Sequence, residues 1–290
     1  MLAATRMAVS LLKLRIAVAI AASTLAGMAA ASGNAPPAWQ AATLFLAVLG
    51  ASGAAGAFNQ YYERDLDRLM RRTCGRPFAS GAFRPSPYWL AGFLALLIAS
   101  LMLAAVFTGM AAALYVFLGA FTYGIVYTVW LKRRTSWNIV VGGLAGSFAV
   151  LAGAAAVDPA PQAVPIMLAV VLFLWTPPHF WSLAAAKGHD YQQAGVPMLP
   201  IVVPVYAWTL AILAHTSALV GLSLVPLWFG MGVAYGVGAG LGGAIFLWTS
   251  IALCRAPSKA AAMTNFLASL VQLLMLILGV VVDGALASWA

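Results

Sequence analysis

Charge is scarce in this chain. Of its 290 residues only 7% are Asp, Glu, Lys or Arg, where an ordinary soluble domain carries about 25%. So little charge cannot give a water-soluble globule its polar skin, so a soluble enzyme is excluded. The apolar composition excludes a disordered chain or a fibrous repeat as well. Cysteine is equally sparse. Cys74 and Cys254 are the only two, both are read as lying in short polar connections, and they imply no disulfide framework. Six acids stand against 15 Lys and Arg, a formal net charge of +9. In a soluble protein that excess would suggest nucleic acid. In a chain this apolar it reads as cations gathered on the cytoplasmic side of a membrane, and no nucleic acid is expected.

What is plentiful is apolar sequence: 64% of residues are hydrophobic and the mean hydropathy is +0.98. Nine stretches, at 10–31, 38–58, 88–107, 110–131, 137–157, 163–184, 200–227, 231–253 and 265–286, come near the roughly 20 residues a bilayer requires. They are read as helices, because only helices and closed barrels satisfy their backbone in lipid. Unbroken runs such as LAGFLALLIASLMLAAVF lack the alternation of a barrel strand. The expected fold class is an all-α polytopic membrane protein with nine transmembrane helices. No glycine- or proline-rich linker divides it, so 1–290 is read as one membrane domain.

The cations sort by connection. Arg6, Lys13 and Arg15 lie at the N-terminus, and Arg64, Arg68, Arg71, Arg72, Arg76 and Arg84 in the second connection. Lys132, Arg133 and Arg134 lie in the fourth, Lys187 in the sixth, and Arg255 and Lys259 in the eighth. Odd-numbered connections carry none. This predicts a cytoplasmic N-terminus and an external C-terminus. A signal peptide cleaved near Ala31-Ser32 is the rival reading of the first stretch, and its removal would invert the other segments relative to their cations. Trp39, Tyr88, Trp89, Trp228 and Trp289 fall near segment ends, as an interfacial aromatic belt does.

Acids are the scarce resource, so their placement is informative. Glu63, Asp65 and Asp67 lie within five residues of one another, and Asn59, Glu63 and Asp67 follow an i, i+4, i+8 spacing. If the second helix continues past the membrane face, that spacing aligns three oxygen-bearing side chains. Mg²⁺ prefers such ligands and shares them with substrate phosphates. Asp65 points off the stripe, towards Arg68 or Arg64. Arg71, Arg72 and Arg76 follow at once, and guanidinium forks beside acids suit a metal-bound diphosphate. An ordinary basic loop with local salt bridges fits the same spacing.

Asp190 is the one acid of the sixth connection. Spacing alone favours a capping role for it. A second ligand loop facing the first would make it a metal ligand. His179 follows Pro177-Pro178 inside a membrane segment. It is either a functional group or a neutral histidine bonded to backbone freed by the prolines. His215 has no polar company in sequence, and Asp158 and Asp283 sit at outer segment ends, where capping or interfacial solvation explains them.

At these residues the sequence resembles a known family. NQYYERDLDRLMRRTCGRPFASG is similar to the first signature of the UbiA-superfamily membrane prenyltransferases. FLWTPPHFWSLAAAKGHDYQQAGVPMLPIV and YTVWLKRRTSWNIVVGG resemble the branch of that family that modifies haem. The resemblance runs from the Lys13 region to Asp283. It implies a helical bundle around a central cavity capped by the two polar loops. It implies that Asn59, Glu63 and Asp67 hold Mg²⁺ and diphosphate from one side and Asp190 from the other. It makes Arg72, Arg76, Lys132 and Arg133 candidates for the diphosphate oxygens.

The resemblance also implies transfer of a farnesyl group from farnesyl diphosphate to a vinyl group of haem b, with water added, giving haem O and diphosphate. Haem b is then a substrate and not a prosthetic group, and His179 is the candidate haem contact because a buried imidazole is a usual iron ligand. The expected setting is a bacterial inner membrane, with membrane lipid around the chain. A haem-modifying enzyme or terminal oxidase assembly is the expected downstream partner. The chain departs from the family pattern at Lys13-Leu14, at SFAVLAGAAA after NIVVGG, and at His189, where a second acid is frequent beside Asp190. Rival readings are a family member with an aromatic acceptor and, further off, an ion-coupled transporter, whose coupling acids would sit near the bilayer midplane.

Overall fold

The computed structural model of the protein describes Met7, residues 9–32 and residues 36–287. Arg6 and Trp289 lie outside the described residues. Nine apolar helices run through them: α1 (Leu14–Ala30), α2 (Ala38–Tyr62), α4 (Pro87–Thr108), α5 (Met110–Leu131), α6 (Asn138–Val157), α7 (Ala163–Ala186), α10 (Val205–Phe229), α11 (Val233–Arg255) and α12 (Lys259–Ala287). Eight are long and apolar enough to cross a membrane, and α1 is the shorter ninth. Three short helices fill the polar connections: α3 (Arg64–Leu69), α8 (Gly188–Gln193) and α9 (Leu199–Val202).

The helix ends follow local chemistry. Pro37 precedes α2, and Pro87 opens α4 with the Ser86 Oγ accepting from the Tyr88 N–H, because proline suits the first helical turn, where its missing N–H costs nothing. α4 and α5 are joined by Gly109 alone at φ 96°, a backbone conformation that a Cβ would strain. The expected seventh stretch, 200–227, is split. Val203 is extended at φ −124° and ψ 158°, and α10 starts after Pro204, since the residue before proline is pushed out of the helical region. The second stretch runs on to Tyr62, and the ninth begins at Lys259 instead of 265. Cys254 falls in the last turn of α11 and not in a connection, and both cysteines are free.

Contacts between connections define two ends of the bundle. At one end Lys13 reaches Asn59, Lys132 reaches Glu63, and Arg72 reaches Tyr191. At the other, Ser32 and Gln162 exchange two hydrogen bonds, and Asp283 Oδ2 accepts from the Gly232 N–H at 2.6 Å. Asp158 caps locally by accepting from Ala160 N–H. Tyr88 and Trp228 are exposed as belt residues should be, but Trp89 stacks on Phe83 at 4.9 Å and meets Phe78 edge-on.

Small residues let the backbones touch. A Cβ on Gly153 would lie 1.9 Å from the Thr24 carbonyl oxygen, and one on Gly27 2.0 Å from that of Val150, so α1 and α6 meet backbone to backbone in the manner of membrane helix pairs. A separate apolar cluster ties the two polar loops to the bundle: Leu66 and Met70 from the first, Tyr191 and Met198 from the second, with Trp181 and Trp208. Burying these side chains together fixes where the polar residues between them point.

Candidate active site

The carboxylate stripe survives a break in its helix. α2 ends at Tyr62 and α3 starts at Arg64, with Glu63 between them at φ −94°, ψ 9°. Yet Glu63 N–H donates to Asn59 O at 2.9 Å, and Asp67 N–H to Glu63 O at 2.8 Å. The i→i+4 ladder therefore continues and keeps the three side chains in line. Asn59 is 1% exposed and Glu63 and Asp67 are 0% exposed. Asp65 sits off the stripe, exposed, 3.9 Å from Arg68.

Buried carboxylates must be compensated, and each here has its own cation. Arg76 Nη1 donates to both Asp67 oxygens at 2.8 Å. Lys132 Nζ lies 2.5 Å from Glu63 Oε2. Lys13 Nζ donates to Asn59 Oδ1 at 2.5 Å and to the Tyr123 hydroxyl at 2.9 Å. These three cationic ends close the opening expected over the stripe.

The sequence pattern did not single out Lys13, Tyr123 or Thr128 as part of the site. Thr128 Oγ1 accepts from Asn59 Nδ2 at 3.0 Å and donates to the Tyr123 carbonyl five residues back. The second half of α5, Thr122–Leu131, is a widened helix with i→i+5 bonding, and Lys132 N–H bonds the Tyr127 carbonyl in the same pattern. Such widened turns often mark functional sites. Here one brings Tyr123, Thr128 and Lys132 against the stripe. The one signal in the sequence was a lysine immediately before an apolar helix.

Burial raises the Glu63 carboxyl, but the charge and hydrogen bond of Lys132, with Lys13 and Asn59 adding, bring it below its ordinary value. Desolvation and the Arg76 guanidinium push the Lys13 ammonium well below the usual lysine range, against the pull of Glu63.

Arg72 donates to the Tyr191 hydroxyl at 3.0 Å and lies over its ring. Arg133 is exposed, its guanidinium 5.8 Å above the Tyr62 ring, and does not reach the stripe. Asp190 is 7% exposed and faces a cleft that it shares with Arg71 and Arg72. The structure does not gather Asp190 with Glu63 and Asp67. Among the described residues no three acidic, histidine or cysteine groups stand close enough to hold one metal ion.

The stripe itself has a hard-cation character. Its donors are all oxygens, ammonium groups occupy two of them, and Glu63 Oε1 is buried without a hydrogen-bond partner among the described residues. An oxygen left bare beside two that already hold cations fits a metal ligand.

α7 runs through Pro177 and Pro178 without a break. His179 does not bond to freed backbone. Its ring lies between Trp175 (4.2 Å) and Phe266 (4.5 Å), and its Nδ1 is 2.6 Å from Ser269 Oγ. With Ser269 donating to the Phe266 carbonyl, the tautomer protonated at Nδ1 completes the pair and leaves the Nε2 lone pair without a hydrogen-bond partner among the described residues. His215 bonds the Ala211 carbonyl on its own helix.

The chain matches the UbiA prenyltransferase family over residues 20–277. The chain belongs to this family, and it is a membrane prenyltransferase. It is 55% identical over 278 residues to protoheme IX farnesyltransferase 2 of Paramagnetospirillum magneticum, covering 96% of both chains. It is 47% identical to protoheme IX farnesyltransferase 1 of the same organism, covering 96% of this chain and 98% of that one. Among solved structures it is similar to a UbiA homologue from Archaeoglobus fulgidus bound to DMAPP and Mg²⁺, with a TM-score of 0.72 and 16% identity over 93% of this chain and 98% of that one. The fold class expected for the UbiA family is the fold observed.

Proposed function

We propose that this prenyltransferase moves the farnesyl group of farnesyl diphosphate to a vinyl group of haem b, with addition of water, to give haem O and diphosphate. The observation that carries the reading is 55% identity, over nearly the full length of both chains, to a relative named for this activity. The aromatic-acceptor and transporter readings have no comparable support, and the acids lie at one end of the bundle among cations, not at its middle.

The chemistry is charge handling. The allylic carbon–oxygen bond breaks and its electron pair leaves with diphosphate. The vinyl π pair closes a new carbon–carbon bond to the allylic carbon. The positive charge left beside the porphyrin is taken by water, which loses a proton to become the hydroxyl. Asn59, Glu63 and Asp67, with Asp190 from the second loop, would hold Mg²⁺, which supplies charge neutralisation at the diphosphate when bound. Arg76 and Lys132 already lie against the stripe. With Mg²⁺ at the carboxylates, Arg76 and Lys132 would be free to pair with diphosphate oxygens, with Arg72 and Arg133 as further candidates. Tyr123 and Tyr127 stack at 5.7 Å beside the stripe and offer π faces to a developing allyl cation. Closure of the stripe limits water around that cation.

His179 contacts haem through the free Nε2. Its replacement by alanine is expected to change the absorbance of bound haem. An unchanged spectrum with unchanged activity would remove this assignment. The sorting of cations to one end of the bundle supports a stripe on the cytoplasmic side of a bacterial inner membrane, with the N-terminus inside and the C-terminus outside. The product would pass to haem modification or oxidase assembly.

The deciding experiment extracts haem from cells expressing the chain and from cells expressing Asp67→Ala. Farnesylated haem is expected only with the intact chain. Haem b alone in both, with protein in the membrane, would overturn the acceptor and direct attention to quinone precursors.

A further inference from the structure

Next to the stripe lies a second feature, an open cleft of about 920 Å³, which the transfer chemistry above uses only at Arg72 and Asp190. This is within the size range of pockets that take a drug-sized molecule. Its polar lining is strongly one-sided. Arg71, Arg72, Lys187 and Lys259 face it, against the single acid Asp190. These cations come from three separate connections of the chain, so the folding of the bundle gathers them. Arg71, Lys187 and Lys259 have no ion-pair partner among the described residues. Asp190 as a residue is more than nine-tenths buried, and its carboxylate has no hydrogen bond or ion pair among the described residues. His189 and Gln192 add neutral polar groups to the lining, and Trp208, Ile201, Val205 and Pro200 give it an apolar part. One wall is shared with the stripe's surroundings through Arg72, which is bonded to the Tyr191 hydroxyl.

A cleft that sets unpaired cations beside an apolar patch of Trp208, Ile201 and Val205 suits an amphiphile with anions along one edge. Haem b is such a molecule: its two propionates occupy one edge and its two vinyl groups the opposite edge. We propose that this cleft is the propionate site for the acceptor, with Lys187, Lys259 and Arg71 holding the carboxylates and Trp208 lying against the macrocycle. The net lining charge of three cations over acids exceeds the two charges of the propionates. Anchoring that edge in the cleft turns the opposite, vinyl-bearing edge towards the Arg72–Tyr191 wall and the carboxylate stripe behind it. The cleft thereby selects the edge of haem that reacts. This rests on haem b being the acceptor. A phosphate headgroup of an anionic lipid carries charge of the same sign, and the test separates the two.

The full-length protein in nanodiscs of zwitterionic lipid is titrated with haem b and with its dimethyl ester, in which both propionates are neutral. The variants are Lys187→Ala/Lys259→Ala and the charge-preserving Lys187→Arg/Lys259→Arg. The intact chain is expected to bind haem b at least about tenfold more tightly than the ester, and the alanine pair is expected to lose that margin, as removal of charge-assisted contacts does. The arginine pair retains it, and farnesyl diphosphate binding is unchanged throughout. Equal affinity for haem b and ester in the intact chain overturns the proposal and leaves haem as acceptor standing. So does a haem affinity unchanged in the alanine pair while binding of phosphatidylglycerol, added to the same nanodiscs in a separate arm, falls, which assigns the cleft to lipid. Failure of the intact chain to bind haem b in any arm, with no farnesylated haem in cells, removes the acceptor reading together with the proposal.

Discussion

Two polar stripes run through this apolar bundle, and they are built on opposite principles. At the rim, Asn59, Glu63 and Asp67 carry charge or face it, and each is tied to a cation from elsewhere in the fold: Lys13, Lys132 and Arg76. In the seam between α7 and α12, Asn265, Ser269 and Gln272 are equally buried but neutral. Asn265 accepts from the hydroxyls of Thr249 and Ser250 and donates to Ser182, while Ser269 meets His179. The seam's ties are ordinary interhelical hydrogen bonds, worth roughly 1 kcal/mol each in a membrane. The rim's ties hold buried charges whose loss leaves a partner uncompensated. The seam joins helices. The rim holds acids ready to exchange one cation for another, which a structural element has no need to do.

If that contrast is right, loss of a rim carboxylate should cost turnover first, loss of its buried cation should cost stability as well, and damage to the seam should cost stability alone. Asp67→Ala is expected to reduce farnesyl transfer by at least about a hundredfold, the scale of losing a preorganised charge contact, with the protein still folded in membranes. Normal turnover in that variant would end the assignment. Lys132→Met leaves Glu63 buried and unpaired and should destabilise by about 3 kcal/mol or more. Adding Glu63→Gln should recover most of that stability without recovering activity, as read from thermal unfolding in detergent. Recovery of both would make the pair merely structural. In the seam, Asn265→Leu should cost about 1–2 kcal/mol and leave turnover within a few-fold. A large kinetic loss with unchanged stability would erase the distinction. The smallest effect is expected at Gln272, whose amide nitrogen and oxygen are both buried without partners among the described residues. Gln272→Met should be neutral or stabilising by about 1 kcal/mol, since no hydrogen bond is lost and an unpaired polar group is removed.

The rim was legible in the sequence because acids are so few: three of six fall within five residues, and periodicity aligned two of them with Asn59. The nine apolar stretches and the sorting of cations to one end were legible for the same reason, since lipid leaves a chain few choices. The cations that close the rim were harder to see. Lys13 looked like one more basic residue before a helix. Its bond to Asn59 exists because α1 packs against α2, with Lys13 itself in the left-handed region at φ 49°, and no local pattern encodes that. The seam was invisible because Ser, Asn and Gln scattered in an apolar helix match any membrane segment. Their roles appear only once α7 and α12 are side by side. The signature loops placed Asp190 correctly in a polar connection. That it faces a cleft beside Arg71 and Arg72 follows from the cluster around Trp181 and Trp208, whose members are far apart in the chain.

The widened second half of α5 sets the phase of everything after it. In a regular helix each residue advances the azimuth by about 100°, so accommodating an extra residue within a turn rotates the following side chains relative to those before. Lys132 lies over Glu63 because of that offset. Shortening this stretch by one residue would leave the span apolar and long enough to cross a bilayer. It would also swing the lysine around the helix axis and away from its carboxylate. Length within α5 is therefore under a constraint that hydrophobicity does not impose: the helix tolerates changes of apolar side chain far more readily than a change in the number of residues.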